Sequence, residues 1–149
     1  MNPEQNVLVL CARNSARSQM TEAFLSKLGG DRFRIFSAGL AASEIHPLTH
    51  RVMEEVGIPL TGHHSKSTRD FLGKLAVHHL IIVYERTERE CPKLFLGAVR
   101  RHSWPFPDPV EVEGSTNAKL VAFREVRDAI RRRVVDWLSD SEPGSFGDR

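Results

Sequence analysis

The sequence has little of what marks several classes of protein. Its 149 residues contain only two cysteines, and no apolar run approaches the ~18 residues of a membrane-spanning helix. Two cysteines cannot build the disulfide framework of a small secreted domain, so we expect free thiols, either inert or catalytic. The formal net charge is only +2, from 21 Lys and Arg against 19 Asp and Glu. That charge gives no strong field for nucleic acid or a membrane surface, and we predict neither as a partner.

The sequence also gives no indication of secretion or of a second domain. The stretch MNPEQN has neither the basic start nor the small-residue cleavage site of a secretory signal, so we expect a cytoplasmic protein. With 40% hydrophobic residues, a chain of this length buries one ordinary core, which predicts a single domain over residues 1–149. Residues 139–149 are polar and contain glycine and proline, and we expect them to form a flexible tail.

Strand-like and helix-like patterns alternate along the chain. Short, continuous apolar runs are typical of strands buried on both faces of a parallel sheet. Apolar residues that recur every three or four positions predict amphipathic helices. The predicted strands are 7–10, 33–38, 80–83 and 99–104, and the predicted helices are 17–28, 47–56, 69–75 and 118–138. This order predicts an α/β fold: a single three-layer domain with a central four-stranded parallel sheet and helices on both faces.

The first predicted strand ends at Cys11, and a helix begins near Arg17. The residues between them can form a loop whose N–H groups converge on one anion, and the helix dipole adds positive potential there. The candidate oxyanion-binding residues are Ala12, Arg13, Asn14, Ser15, Ala16 and Arg17. Arg17 can hold a tetrahedral oxyanion as a bidentate fork, and the same surroundings favour the nucleophilic thiolate of Cys11. Ser18 can donate a hydrogen bond to that sulfur.

The same residues allow other interpretations of Cys11. A lone cysteine after a strand is often a small buried hydrophobe. The strand before it, the helix after it and the serine that follows Arg17 favour the nucleophile instead. A structural zinc site is disfavoured because neither cysteine lies in a C-x2-C pair, and the two His-His pairs lack zinc-ligand spacing. We therefore predict no bound metal.

Two more candidate residues lie later in the chain. Asp108 stands in the proline-rich segment 105–109, where a carboxylic acid on a fixed loop can protonate a leaving oxygen. Taken alone, the Asp-Pro pair is more typical of a plain turn. Cys91 follows the third predicted strand, at the sheet edge where we expect Cys11. It is either an inert thiol or one that reaches a modified Cys11 when its loop moves, and the residues alone leave both open.

The segment CARNSARSQMTEA, residues 11–23, resembles the low-molecular-weight protein tyrosine phosphatase fold family, and within it most of all the arsenate reductases. Further similar motifs are Ser-Ala-Gly at 37–39, Cys-Pro at 91–92, Asp-Pro at 108–109 and FREVRD at 123–128. The pair Gln19-Met20 resembles the reductase branch, since the phosphatases more often have proline there. Val110 stands where the phosphatases tend to carry tyrosine after Asp-Pro.

The resemblance implies an arsenate reductase without a bound cofactor. In such an enzyme Cys11 attacks arsenate held by the loop amides and Arg17, and Asp108 protonates the departing hydroxide. A second thiol then attacks Cys11, which releases arsenite and leaves a disulfide. The thioredoxin-coupled relatives carry two further cysteines spaced C-x6-C. Here Cys91 matches the later one and Tyr84 occupies the earlier position, so a cascade of three thiols within one chain cannot run.

The source of the second thiol is therefore open. It is either Cys91 or an external thiol such as glutathione or mycothiol, and we favour an external one. A glutaredoxin-, mycoredoxin- or thioredoxin-type protein would then restore the enzyme. Competing interpretations are a tyrosine phosphatase that binds phosphate at the same Cys11, Arg17 and Asp108, and a non-catalytic oxyanion sensor or binding module.

Two features differ among relatives. Some bind potassium near the loop through residues that match Asn14, Glu22, Ser37 and Asp70. Here we expect Asn14 and Ser37 to hold the loop by hydrogen bonds, without an ion. Arg13 replaces a glycine that is common in relatives, and it either adds positive charge at the rim of the loop or points to solvent.

Overall fold

The chain folds around a parallel sheet whose strands alternate with helices. The computed structural model describes residues 5–71, 73–85 and 100–140. The strands are β1 (Gln5–Cys11), β2 (Phe33–Gly39), β3 (His79–Ile82) and β4 (Arg100–Ser103), and the helices are α1 (Arg17–Gly29), α2 (Pro47–Glu55) and α3 (Thr116–Asp140). Short 3-10 turns lie at Gly30–Arg32, Thr68–Asp70 and Pro109–Glu111.

The four strands are all parallel and stand in the order β2-β1-β3-β4. In this register Cys11 pairs with Gly39, and Ile82 pairs with both Leu10 and Ser103, so the carboxyl ends of the strands share one edge. The chain leaves β1 towards β2 on one side and returns to β3 on the other. A crevice opens at such a switch point, and Cys11 stands beside it. The predicted α/β class with a four-stranded parallel sheet is confirmed.

The hydrophobic core surrounds β1 and fixes its position. Residues 7–11 of β1 are all buried, so both faces of this strand are covered. The helices contribute fully buried side chains to the same core: Phe24 from α1, Met53 from α2, and Phe123 and Ile130 from α3. Each such side chain stabilises the fold by roughly 1.5–3 kcal/mol. The first turn of α1 is thereby held rigidly above the end of β1.

Some predicted elements differ from the observed ones. The helix predicted over 69–75 is wrong, because a capping box between Ser67 and Asp70 closes a short 3-10 turn, and Gly73 then adopts a left-handed φ of 74°. Helix α3 runs to Asp140, two residues into the predicted tail. The rest of that tail and Cys91 lie outside the described residues. In the described ranges, no helix is both long and apolar enough to cross a bilayer.

Candidate active site

The loop of residues 12–16 joins β1 to α1 at the carboxyl edge of the sheet. Helix α1 begins after Ala16, which has no side-chain oxygen, and no side chain caps its first turn, whose N–H groups are typical donors to an anion. A small pocket above the loop is lined by Cys11, Ala12, Arg13, Ser15, Ala16, Arg17, Asp108 and Val110. The fold therefore brings together the predicted nucleophile, the predicted acid and all the predicted anion-binding residues except Asn14, which does not line the pocket.

Neighbouring segments hold the carbonyl groups of this loop from outside. The carbonyl oxygens of residues 11–15 accept hydrogen bonds of 2.8–3.4 Å, in order, from the backbone N–H of Leu40, Ala41 and Ser43, the Gln19 side-chain amide and the backbone N–H of His46. In a trans peptide the C=O and the next N–H point in opposite directions. The N–H groups of residues 12–16 therefore point away from these donors. That of Asn14 donates to Cys11 Sγ at 3.2 Å, and the others face the pocket side of the loop, where they can form an oxyanion cradle.

Helix α2 supplies a second bond to one of these carbonyls. The Thr49 hydroxyl donates to the Ser15 carbonyl oxygen at 3.0 Å, next to the His46 N–H at 3.1 Å. Thr49 is fully buried. Two donors from one helix terminus thus fix the Ser15 peptide, and with it the direction of the Ala16 N–H. The positions of Ser15 and Thr49 in the sequence do not predict this contact.

The last residue of β2 must be glycine because the loop passes directly over it. A Cβ built on Gly39 lies 2.6 Å from the Arg13 carbonyl carbon and from the Asn14 nitrogen. Both are backbone atoms, which cannot rotate away as the end of a side chain can. The Ser-Ala-Gly motif at 37–39 therefore has a structural reason: only glycine lets the cradle approach β2 this closely.

Asn14 sets the direction of the hydrogen bonds around the Cys11 sulfur. Its backbone is left-handed, with φ 55°, a conformation that asparagine tolerates better than most residues. The Lys66 N–H donates to its Oδ1 at 2.7 Å, so its Nδ2 donates to the Ser18 hydroxyl at 2.7 Å and to the Ser37 hydroxyl at 2.9 Å. This orientation is imposed by a backbone N–H, which can only donate.

The Cys11 sulfur receives two donors as a result. Ser18 Oγ accepts the Asn14 amide bond, which leaves the Ser18 proton for Cys11 Sγ at 3.0 Å. The Asn14 backbone N–H donates to the same sulfur at 3.2 Å. The sulfur therefore lies at the floor of the pocket with two hydrogen-bond donors directed at it.

Arg17 and Asp108 close the pocket from the side of β4. The Arg17 side chain is only 3% exposed, and it donates from Nη1 to the Phe106 carbonyl at 3.0 Å. Its Nη2 lies 3.4 Å from Asp108 Oδ2, while the Val110 N–H donates to Asp108 Oδ1 at 3.0 Å. The proline-rich segment is thus anchored to the guanidinium, and the Asp108 carboxyl group lines the pocket.

Three further residues singled out from the sequence are Arg13, Tyr84 and Cys91. Arg13 is exposed at the rim of the pocket. Tyr84, at the position of the missing third thiol, is buried. Cys91 falls outside the described residues, so its role stays a prediction.

The residues that matched the potassium ligands do not form an ion site here. Glu22 accepts a hydrogen bond from Ser37, and the Lys66 ammonium lies 3.7 Å from the same carboxylate. Asp70 instead closes the capping box of its own turn. Because the Glu22 carboxylate already has a cationic partner, these residues do not fit a potassium ion. Asn14 and Ser37 share a hydrogen bond of 2.9 Å, which is the expected way of holding the loop.

The sequence is similar to those of known proteins. The sequence model of a family described as "Low molecular weight phosphotyrosine protein phosphatase" matches residues 6–142. The chain belongs to this family. The arsenate reductase of Bacillus licheniformis is 32% identical over 142 residues, which cover 93% of this chain and 99% of the relative. The glutaredoxin arsenate reductase of Synechocystis sp. is 32% identical over 135 residues, or 91% and 97% of the two chains.

Solved structures from both branches of this phosphatase family superpose on the chain. An arsenate reductase in the phosphate binding state has a TM-score of 0.76 at 29% identity and covers 93% of this chain and 99% of its own. The tyrosine phosphatase Wzb from Escherichia coli K30, in complex with sulphate, has a TM-score of 0.75 at 22% identity, over 94% and 100% of the chains. The second likeness shows the fold alone. The predicted resemblance to the family is confirmed.

Proposed function

We propose that this chain is an arsenate reductase that uses Cys11 as the nucleophile and a second thiol as the reductant. The observation that carries the proposal is the lining of its pocket. Besides Cys11 and the small residues of the loop, it contains two guanidinium groups, of Arg13 and Arg17, one carboxyl group and Val110, and among the described residues no aromatic side chain lines it. A pocket for an aryl phosphate needs apolar walls for the ring. This pocket suits a small inorganic oxyanion, and the family relatives named above support the same activity.

The first step joins sulfur to arsenic. The Cys11 thiolate attacks arsenic(V) in arsenate held by the amides of residues 12–16 and by Arg17. An S–As bond forms and one As–O bond breaks, and Asp108 donates the proton with which that oxygen leaves as water. Arg17 faces the negative charge of the oxyanion throughout, which suits a fixed, buried guanidinium. Arg13 adds positive charge at the rim.

The second step reduces the arsenic. A second thiolate attacks Cys11 Sγ and forms an S–S bond. The S–As bond breaks, and its electron pair goes to arsenic, which leaves as arsenite in the +3 state. In this step the Cys11 sulfur is the atom attacked and arsenite is the leaving group, and the Ser18 hydroxyl, which donates to Cys11 Sγ at 3.0 Å, holds that sulfur in position. Two thiols are oxidised for each arsenate reduced, and a thiol reductant outside the protein must restore them.

We propose an external low-molecular-weight thiol, glutathione or mycothiol, as the second thiol. A glutaredoxin-, mycoredoxin- or thioredoxin-type protein then regenerates the enzyme. The name of the Synechocystis relative, glutaredoxin arsenate reductase, supports a redoxin of this kind. Cys91 is the alternative second thiol. The reaction needs free thiols, so we place it in the cytoplasm, in one domain over residues 1–149.

A tyrosine phosphatase is the second candidate function. The same thiolate, guanidinium and carboxyl group can form and hydrolyse a phosphocysteine, with water in place of the second thiol. The family includes such enzymes, and the cradle does not distinguish arsenate from phosphate by shape.

Parallel assays separate the two functions. Purified protein is supplied with arsenate and each redoxin system in turn, and NADPH consumption is followed; hydrolysis of an aryl phosphate is measured without thiol. We expect thiol-dependent arsenate reduction that disappears in Cys11→Ser and persists in Cys91→Ser. Rapid aryl phosphate hydrolysis without arsenate reduction in any system would make the chain a phosphatase. If Cys91→Ser consumed one arsenate per enzyme and released no arsenite, Cys91 would be the second thiol.

A further inference from the structure

The Cys11 sulfur is the end of a longer series of hydrogen bonds that starts at the loop around residue 63. Gln19, fully buried in the first turn of α1, donates from Nε2 to Asn14 Oδ1 at 2.8 Å. The same Nε2 donates to the His64 carbonyl at 3.0 Å. Neither acceptor carries a proton, so the orientation of the Gln19 amide is fixed, and its Oε1 faces the other way.

The partner of that oxygen is the imidazole of His63. His63 Nδ1 lies 3.2 Å from Gln19 Oε1. Since Oε1 can only accept, Nδ1 must carry the hydrogen, in the neutral ring as well as in the imidazolium. This geometry fixes the tautomer of neutral His63 as Nδ1–H.

Every hydrogen in this series therefore points towards the sulfur. His63 donates to Gln19, Gln19 to Asn14, Asn14 to Ser18, and Ser18 to Cys11, over distances of 3.2, 2.8, 2.7 and 3.0 Å. We call these five side chains the donor chain. Bonds aligned in one direction polarise one another, so each donor is stronger than it would be alone.

We propose that Gln19 and His63 are positioning residues that act through the donor chain to direct the Ser18 proton onto the Cys11 thiolate. Without the Gln19 amide, Asn14 Oδ1 keeps only the Lys66 N–H, at 2.7 Å, and its side chain is less firmly held. A rotated Asn14 amide presents its oxygen to Ser18. The Ser18 hydroxyl then donates to that oxygen, and the sulfur loses one of its two donors.

The test is the reactivity of the Cys11 thiolate, which needs no arsenate. Iodoacetamide alkylation of Cys11 is followed across pH, with the Cys11 peptide identified by mass spectrometry so that Cys91 does not contribute. We expect Gln19→Met to slow alkylation at neutral pH by about two- to tenfold, the range for the loss of one hydrogen bond, and to move the pH midpoint upward. His63→Leu should act in the same direction with a smaller effect.

Two variants and one spectrum separate positioning from general structure. His63→Asn keeps a side-chain donor near the position of Nδ1, and we expect it to restore wild-type alkylation. His64→Leu is the matched control, because this exposed neighbour takes part through its carbonyl oxygen only. In a ¹⁵N spectrum of the imidazoles, neutral His63 should carry its proton on Nδ1. Circular dichroism and thermal unfolding confirm that each variant is folded.

Other results would contradict the proposal for Gln19 or for His63. Alkylation profiles that are equal in wild type, Gln19→Met and His63→Leu would overturn the proposal. An effect of Gln19→Met alone removes His63 from it, and an Nε2–H tautomer does the same. The proposal rests on Cys11 as the nucleophile of the proposed function. A protein that reduced no arsenate but showed these alkylation profiles would contradict that function and leave the donor chain standing.

Discussion

Gly39→Ala is the substitution that tests most directly how the cradle is built. The added Cβ would lie 2.6 Å from two backbone atoms of the loop, about 0.8 Å short of ordinary contact. The end of β2 cannot retreat, because Gly39 pairs with Cys11 in the sheet and its N–H donates to the Lys66 carbonyl at 2.8 Å. The loop itself must therefore move, and the Arg13 and Asn14 peptides move with it.

We expect Gly39→Ala to lower catalytic activity more than it lowers the stability of the fold. Overpacking of this kind destabilises a protein by typically about 1–3 kcal/mol, which the remaining core can absorb. A displacement approaching 1 Å at the reacting groups lowers catalysis by about 100-fold. We expect a folded protein whose kcat/KM for arsenate falls by about two orders of magnitude and whose inhibition by phosphate weakens. Steady-state kinetics and thermal unfolding measure the two effects.

Gly29→Ala provides the matched control. A Cβ on Gly29 would meet Leu138 at 3.5 Å and Phe33 at 3.8 Å, which is ordinary contact, at the end of α1. This variant should keep full activity and gain slightly in stability, since alanine loses less entropy than glycine in a helix. If Gly39→Ala bound phosphate and reduced arsenate as well as Gly29→Ala does, the close packing of β2 against the cradle would not matter for function.

Three further predictions concern single residues. Thr49→Val removes one of two hydrogen bonds to the buried Ser15 carbonyl and should weaken phosphate inhibition by about two- to tenfold, while Thr49→Ser restores it. Burial lowers the pKa of His79 from 6.5 to about 4, so on acidification the unfolded chain binds a proton at this residue before the folded chain does. The free energy of unfolding measured in urea should therefore fall by up to about 3 kcal/mol between pH 6.5 and pH 4, and by less in His79→Gln. The hydrogen bond from Arg124 lowers the pKa of Glu55 to about 2, so the stability that this pair contributes is present above about pH 4.5 and is lost towards pH 2; the Tm of Glu55→Gln should depend less on pH there.

The sheet and the nucleophile loop could be predicted because their signals are local. A continuous apolar run, a cysteine and an arginine six positions later lie within one strand, one loop and the start of one helix. The alternation of strands and helices then fixes the parallel order and brings the carboxyl ends of the strands to one edge. Asp108 was found by the same reasoning, because prolines restrict the path of its segment.

The surroundings of the cradle could not be predicted in the same way. The donors that hold its carbonyls are mostly backbone N–H groups of residues 40–46, and a backbone group leaves no mark on the sequence. The bonds of Thr49, Lys66 and His63 span 34 to 52 positions and depend on how α2 and the loop around residue 63 pack. The wrong helix over 69–75 has a similar cause, since Ser67 caps a turn that the apolar spacing conceals.

The most direct test of the account is the balance of thiols and arsenic in one turnover. Fully reduced protein is mixed with arsenate and one external thiol, and arsenite, lost thiols and the disulfide partner of Cys11 are determined together. The account predicts one arsenite for every two thiols oxidised, with Cys11 in the new disulfide and no arsenite from Cys11→Ser. Arsenite formed without Cys11, or a Cys11 that turns over aryl phosphate and leaves arsenate unreduced, would contradict it.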